Sequence, residues 1–318
     1  MGLNRREASM KLLPVRPQLA NGDSLKRILL LVDYSNILYR SYFSSIKDWE
    51  ERPWLPILRF VDSLRLCIQR SKVPGVRIEV IFAGESREKL ERTKIDSSYK
   101  SNRIPVKHDV FRNFRKIMIP VLRDMGIGIL SRAGAEADDV IAGIVGLVAI
   151  DDYPTKNPPF NSFKKKQKTD IVIFSNDKDL YQLLRFNRCY IYKNQGVFYT
   201  RENFIDEYKF HPDKFALYKA MAGDKSDNIP GINGIGPVKA TEYILNDSVP
   251  VNNPEFRKAL TLISLDYDLD VPTVGKVLRF DSELSHSKRD ILKTYGKNTR
   301  AFAEIQLAIN MLKEVYLN

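Results

Sequence analysis

Four short apolar runs, separated by segments of helical periodicity, restrict the fold of this chain more than any other feature. ILLLV (28–32), VRIEVIF (76–82), GIGIL (126–130) and DIVIF (170–174) each read as a buried strand. Between the first two, Ile57, Val61, Leu64 and Ile68 recur at helical spacing, and residues 106–125 and about 135–149 read as helices between the later ones. This alternation predicts the α/β class, with a mostly parallel central sheet flanked by helices. CYIYKNQGVFYT (189–200) predicts a strand pair turning at Asn194-Gln195-Gly196, and from Arg201 onward the pattern is helical. The domain expectation is an α/β core over 28–200 and a helical region over 201–318. A length of 318 residues with 43% hydrophobic content suffices for either one large core or two smaller ones.

Outside those units the composition changes. Residues 1–27 carry six Lys/Arg and two acids with no continuous apolar run, so they read as a basic flexible leader, with an organelle transit peptide as the alternative. Residues 151–169 are rich in Pro, Asn and Lys and read as a surface loop. The segment TRAFAEIQLAINMLKEVYL reads as a C-terminal helix packed on the core, with binding of a partner as the alternative. Cys67 and Cys189 show no CxxC spacing, which argues against a disulfide framework or a thiolate zinc site and fits a reducing compartment.

The acids fall where the strands end, and in open α/β sheets ligands collect outside the carboxyl ends of the strands. Asp33 ends the first strand and Glu85 follows the second. Glu136, Asp138 and Asp139 follow the third in GAEADD, and Asp177 and Asp179 follow the fourth in SNDKDL. The two-residue spacing of Asp177 and Asp179 puts both on one side of an extended segment. Asp224 and Asp227 in GDKSDN stand one helical turn apart. Each group has a local alternative: helix-start capping for GAEADD, turn chemistry for Asp177 and Asp179, loop acids for Asp224 and Asp227.

Two carboxylates about 4 Å apart repel by roughly 4 kcal/mol at an effective dielectric of about 20, so nine converging acids require countercharge. The candidate donors are all oxygens, which favours Mg²⁺ or Mn²⁺ over zinc. His108, His211 and His286 are far apart and read as surface or packing residues. Two such ions roughly 4 Å apart activate a water and stabilise a departing oxygen, which is phosphodiester hydrolysis. The chain as a whole has 51 Lys/Arg against 39 Asp/Glu, a net charge of +12, pointing to a polyanionic partner. Residues 86–116 hold ten Lys/Arg and four acids, half of that excess.

LLLVDYSNILYR, GAEADDVIA, SNDKDLYQLL and GDKSDNIPGINGIGPVKA, in this order, resemble the 5′ nuclease family of flap endonucleases, polymerase I 5′ nuclease domains and bacteriophage 5′ exonucleases. The resemblance covers residues 28–270 and is nearest in style to stand-alone bacterial or bacteriophage enzymes. It implies a PIN-like 5′ nuclease core and a helix–three-turn–helix DNA-binding module at about 220–246. It implies metal ligation by Asp33, Glu136, Asp138, Asp139, Asp177, Asp179, Asp224 and Asp227, with two Mg²⁺ or Mn²⁺ ions. The family usually has Asp after the second strand; Glu85 stands there, matched by its distance to YKSNR.

The resemblance further implies a helical arch or clamp over 86–116. Lys100, Arg103 and Arg40 would steer the scissile phosphate, and Tyr99 would take part in holding single-stranded DNA, stacking on an unpaired base. GINGIGPVKA is a glycine-rich turn entering a helix, whose N–H groups suit a phosphate. Gly234, Gly236 and Lys239 are its duplex-side candidates, with K⁺ held by carbonyls of the same loop. The implied substrate is DNA with 5′ flaps, 5′ ends or junctions, RNA primer strands included as candidates, cut by a cytoplasmic monomer without membrane association in replication or repair. Two rivals are a PIN-like ribonuclease, against which length and GINGIGPVKA argue, and a catalytically inactive branched-DNA-binding protein, which only Glu85 supports.

Overall fold

The strand ILLLV sits at the centre of the protein because both of its faces are covered. In the computed structural model, which describes residues 27–86, 88–149, 169–193, 196–265, 285–295 and 298–317, strand β1 (Arg27–Asp33) is buried at all seven positions. Ile28, Leu30 and Val32 enter one core, and Leu29 and Leu31 enter the other. A strand covered on both sides needs a continuous apolar run rather than an alternating one. Nearly all of the expected leader, the Lys-rich loop, and Asn194 and Gln195 of the expected turn lie outside the described residues.

In chain order, β1 is followed by α1 (Tyr34–Phe43), α2 (Leu55–Ser71), β2 (Arg77–Ala83), α3 (Arg92–Ile95), α4 (Asp109–Asp124), β3 (Ile129–Leu130), α5 (Ala137–Ala149) and β4 (Thr169–Phe174). A 3-10 segment (Asp179–Arg185), β5 (Cys189–Lys193) and β6 (Val197–Tyr199) complete the α/β part. Helices α6 (Arg201–Tyr208), α7 (Phe215–Ala222), α8 (Pro237–Leu245), α9 (Pro254–Ile263), α10 (Ser285–Tyr295) and α11 (Thr299–Leu317) form the remainder. The sheet order is β3-β2-β1-β4-β5-β6, parallel throughout except for the antiparallel β5–β6 pair. The order reverses at β1, whose neighbours are β2 and β4, so the crevice for a ligand opens at the carboxyl end of β1. Asp33 is the last residue of that strand.

Two elements are shorter than their sequence pattern. GIGIL pairs only at Ile129 and Leu130, because Gly126 and Ile127 donate back to the carbonyls of Arg123 and Leu122 and close the end of α4. Gly126 adopts φ +71°, as a helix-terminating glycine does. Helix α4 begins at Asp109 rather than Val106, since His108 is extended (ψ 143°) and caps the helix, its Nδ1 accepting from the Val110 N–H at 3.2 Å. Within the expected arch, described residues are helical only at Arg92–Ile95 and from Asp109 onward, and the chain between them is turn and extended.

The C-terminal helix packs as its pattern predicts. Ala301, Ile305, Ile309 and Leu312 are fully buried in the same core as Ile57, Leu64 and Ile68 of α2. Glu304 ties the two helices at their edge, accepting from Trp54 Nε1 at 2.7 Å and from Arg52 at 2.6 Å. Replacing Ile305 with Ala is expected to lower unfolding free energy by about 2–4 kcal/mol, since it leaves a cavity in a close-packed seam. A urea midpoint shift at unchanged slope is the measurement.

Candidate active site

At the switch point of the sheet, Asp33 serves as the N-cap of α1: its Oδ1 accepts the Asn36 N–H at 3.0 Å and its Oδ2 accepts the Ser175 hydroxyl at 3.0 Å. Burial pushes its carboxyl up to about 7, with the Asn36 N–H opposing and the nearby charges of Asp177 and Glu85 adding to the rise. A cleft of about 630 Å³ opens above it. Its lining brings together acids (Asp33, Glu85, Glu136, Asp138, Asp177) and cations (Arg40, Lys100, Arg103) that lie up to 144 residues apart in sequence. The guanidinium of Arg40 lies 5.1 Å from the centre of the Phe174 ring, and its buried Nη1 finds no acceptor among the described residues. Desolvation lowers its pKa to about 10.

The GAEADD acids occupy the start of α5, and part of their role is the helix-start chemistry their pattern allows: Asp138 Oδ1 accepts the Asp139 N–H at 2.8 Å. The rest is electrostatic. Arg92 from α3 is buried against them, giving Nη1 to Glu136 at 2.7 Å and using both terminal nitrogens on the two carboxylate oxygens of Asp139, at 2.5 and 2.6 Å. Lys100 bonds Glu136 from the other side. Burial opposes the charge of Glu136, but Lys100 and Arg92 together outweigh it and hold this carboxyl below its ordinary value. Asp138 is raised well above the usual carboxylate range by burial and by its neighbour Asp139. It is the member of the group whose charge is least well met.

Tyr99 does not present its ring for stacking. It is buried, with its hydroxyl donating to Glu136 at 2.6 Å and to Asp227 at 3.3 Å, so it links two acid groups. Burial and the Glu136 charge raise its pKa, so the hydroxyl keeps its proton for those bonds.

The second acid group forms around Lys219 of α7, which bonds both Asp179 and Asp224. Burial raises Asp179 to about 6 against the pull of Lys219, whereas Lys219 and Ser226 overcome burial at Asp224 and lower it to about 2. Two geometric expectations are corrected here. Asp177 and Asp179 do not share a side: Asp177 lines the cleft and caps the turn by accepting the Asp179 N–H at 2.9 Å, while Asp179 starts the 3-10 segment and faces Lys219. Asp224 and Asp227 do not share a helical face either, because α7 ends at Gly223 and residues 224–229 form a tight loop closed by backbone bonds between Asp224 and Ile229. Gly223 has φ +79°, and a Cβ there would lie 2.5 Å from the Gly231 nitrogen, so only glycine lets the two ends of this loop close up.

Asp227 faces back toward the basic segment, pairing with Arg103 at 2.6 Å and standing 3.5 Å from Lys100. The same segment is tied to the helical region elsewhere: Arg92 donates to the Ser264 carbonyl at 3.0 Å, and Asp96 pairs with Lys258 of α9 at 2.7 Å. Glu85 lies two residues beyond the end of β2, whose last residue Ala83 is in register with Asp33. It lines the cleft but belongs to neither three-acid group. Gly234, Gly236 and Lys239 sit apart from the cleft, Gly234 on the turn before α8, Gly236 at its N-cap and Lys239 in its first turn. Gly234 has φ +78°, and nothing lies within 4 Å of where a Cβ would be at either glycine, which leaves this backbone open to close approach.

The donors fit hard divalent cations. Glu136, Asp138 and Asp139 form one group, and Asp179, Asp224 and Asp227 a second, with ligand oxygens inside each group all within 4.8 Å of one another. Among the described residues no histidine or cysteine joins them. Burial, with neighbouring acids adding to it, raises the carboxyls of Asp33, Asp138 and Asp179. Arg92 and Lys219 escaped the sequence reading. Arg92 was one of ten basic residues in its stretch, and Lys219 lay inside an apolar helical pattern five residues before Asp224; that i, i+5 pairing across a helix end was the only signal available.

The family described as 5′-3′ exonuclease, N-terminal resolvase-like domain, matches residues 28–156. A 5′-3′ exonuclease of Aquifex aeolicus is 29% identical over 301 residues, covering 91% of this chain and 95% of that one. A 5′-3′ exonuclease of Buchnera aphidicola is 29% identical over 231 residues, covering 72% and 73%. In fold, the chain is similar to the T5 D15 protein, solved in crystals grown with metal ions, with a TM-score of 0.55 at 17% identity over 90% of this chain and 100% of that one. With the acids gathered at the switch point and these likenesses spanning both halves of the chain, the protein belongs to the 5′ nuclease family.

Proposed function

We propose that this protein is a structure-specific 5′ nuclease that hydrolyses phosphodiesters of DNA at 5′ ends and single-strand/duplex junctions with Mg²⁺ or Mn²⁺. The observation that carries this reading is one cleft lined by five carboxylates and three cations. Acids alone would suit a cation and bases alone an anion; together they suit a phosphate bridged to the protein through metal ions. Asp33, Glu85, Glu136, Asp138 and Asp177 line that cleft, while Asp179, Asp224 and Asp227 form the second oxygen-donor group. Divalent cations held there supply Lewis acidity that offsets phosphate charge and acidifies a water.

The protein's own groups do the rest. Arg40 lines the cleft and would bring its positive charge to a phosphate there. Lys100 and Arg103, paired with Glu136 and Asp227, line the cleft and would offer their charge to the phosphate. Arg92 stays on Asp139 and keeps α5 in place. The open backbone at Gly234 and Gly236, with Lys239 beside it, is the duplex-side contact; it carries affinity rather than sequence preference. A K⁺ ion at this turn and RNA primer strands as substrates belong to the same proposal. The relatives named 5′-3′ exonuclease support the reaction class.

Three outcomes are expected. First, a 5′-labelled flap on duplex DNA is cut with Mg²⁺ and not with EDTA, and Asp138→Asn or Lys100→Ala lowers the single-turnover rate by about 10²-fold or more while flap binding in Ca²⁺ persists. Binding without any Mg²⁺-dependent cut by wild type would instead favour the inactive junction-binding protein.

Second, in the ion-free protein Asp33 keeps its proton to about pH 7, against an ordinary carboxylate value near 3.8. The folded state therefore binds more protons than the unfolded state between those values, and its stability falls as pH rises through that window. Metal binding needs the ionised form, so the Mg²⁺ concentration for half-maximal cleavage should drop as pH rises from about 6 to about 8, and Asp33→Asn should flatten that dependence.

Third, Arg92→Met strands buried acids and should cost about 3–5 kcal/mol in chelator, partly restored by millimolar Mg²⁺ as it supplies the missing charge. Urea unfolding with and without Mg²⁺ reads this.

A further inference from the structure

Lys100 reaches the cleft from an unusual piece of backbone. Ser98 to Ser101 form a four-residue turn closed by the Ser101 N–H on the Ser98 carbonyl at 3.1 Å, and Lys100, at the third position, has φ +56°. That position of such a turn favours glycine or asparagine, and a lysine there is held against its preference. The restraint comes from across the chain. The Lys100 N–H donates to the Asp227 carbonyl at 2.9 Å, and Asn102 Nδ2 donates to the Lys225 carbonyl at 3.0 Å. The side-chain amide of Asn228 spans the turn itself, donating to the Ser98 carbonyl at 2.9 Å and to the Ser101 hydroxyl at 3.2 Å. Asn228 is also left-handed, at φ +58°, a conformation asparagine tolerates better than most residues bearing a Cβ. It belongs to neither acid group and does not line the cleft.

We infer that Asn228 is a positioning residue: by pinning both ends of the Ser98–Ser101 turn it holds Lys100 in the left-handed backbone that carries the ammonium into the cleft. This rests on the reading of Lys100 as a cation that engages the scissile phosphate. Without the amide, the turn relaxes to a backbone that suits lysine, and the ammonium leaves Glu136 and the phosphate site. Asp227 reaches the same turn through its main chain and pairs with Arg103 through its side chain, so the loop 225–228 sets two cations at once, with Asn228 specific to the first.

The test is a double-mutant cycle on the full chain, read as the single-turnover rate of Mg²⁺-dependent cleavage of a 5′-labelled flap. Asn228→Gly keeps positive φ accessible and removes only the amide. It is expected to slow cleavage about tenfold, the effect of losing the alignment that roughly one or two hydrogen bonds supply, with flap affinity in Ca²⁺, half-saturating Mg²⁺ and Tm all near wild type. Lys100→Ala is slower still, and the double variant is no slower than Lys100→Ala alone. Asn102→Ala, remote in sequence from Asp227, slows cleavage in the same direction and is likewise silent in the Lys100→Ala background. Multiplying effects of Asn228→Gly and Lys100→Ala overturn the inference, as does a loss that saturating Mg²⁺ abolishes, because the amide would then act through Asp227. If Lys100→Ala itself cuts at the wild-type rate, the assignment of Lys100 fails and takes this inference with it. If Lys100→Ala is slow but Asn228→Gly is not, only the inference fails.

Discussion

Mutual repulsion among carboxylates is the constraint around which this structure is arranged. Asp33, Glu136, Asp138, Asp139, Asp177, Asp179, Asp224 and Asp227 come from three strand ends and one interhelical loop, and six of them form two groups with ligand oxygens within 4.8 Å of one another. A fold can hold such a concentration only by importing countercharge, and three buried or half-buried cations do so: Arg92 from α3, Lys100 from the turn after it, and Lys219 from α7. Lys100 sits between Glu136 and Asp227 and Lys219 between Asp179 and Asp224, acids of different segments, while Arg92 joins the acids of α5 to the Ser264 carbonyl. The cations are therefore also the fastenings between those segments, and the electrostatic problem and the assembly problem have one solution.

That solution is incomplete in an informative way. Arg92 satisfies both oxygens of Asp139, and Lys219 brings Asp224 well below its ordinary value, yet Asp33 and Asp138 remain raised. Both of these acids line the open cleft, whereas Asp139 and Asp224, which have cations against them, do not. Charge left over on the accessible side is what gives a divalent cation a reason to bind there. Arg40, a cation lining the same cleft, suits an anion as well.

The sheet was legible in the sequence because its central strands are buried on both faces and thus read as unbroken apolar runs. So were the acids at strand ends, since the position of Asp33 or Asp177 relative to a strand follows from local pattern. What could not be read was direction. Asp177 and Asp179 diverge because a 3-10 segment starts between them, and Asp224 and Asp227 come together through a loop closed at Gly223 and Gly231, where the spacing also allowed a helical turn. Tyr99 looked like a stacking residue from its basic neighbours and proved to be a buried hydrogen-bond donor. Arg92 and Lys219 were invisible for a related reason: a lone cation in a basic or apolar stretch acquires meaning only when another part of the chain brings acids to it.

The bond from Arg92 to the Ser264 carbonyl joins positions 172 residues apart and lies directly beneath the acids of α5. Contacts of such separation are the slowest for a chain to form, because the entropy of closing the loop is lost before any bonding is gained. The α/β half can pair its strands early, through connections that are mostly local to it. Its acid edge, however, lacks Lys219, Asp224, Asp227 and this carbonyl until the chain beyond α9 has arrived. During synthesis on a ribosome, the part of the molecule that would cut nucleic acid is therefore among the last to take shape, so a growing chain carries its fold for some time before it carries its chemistry.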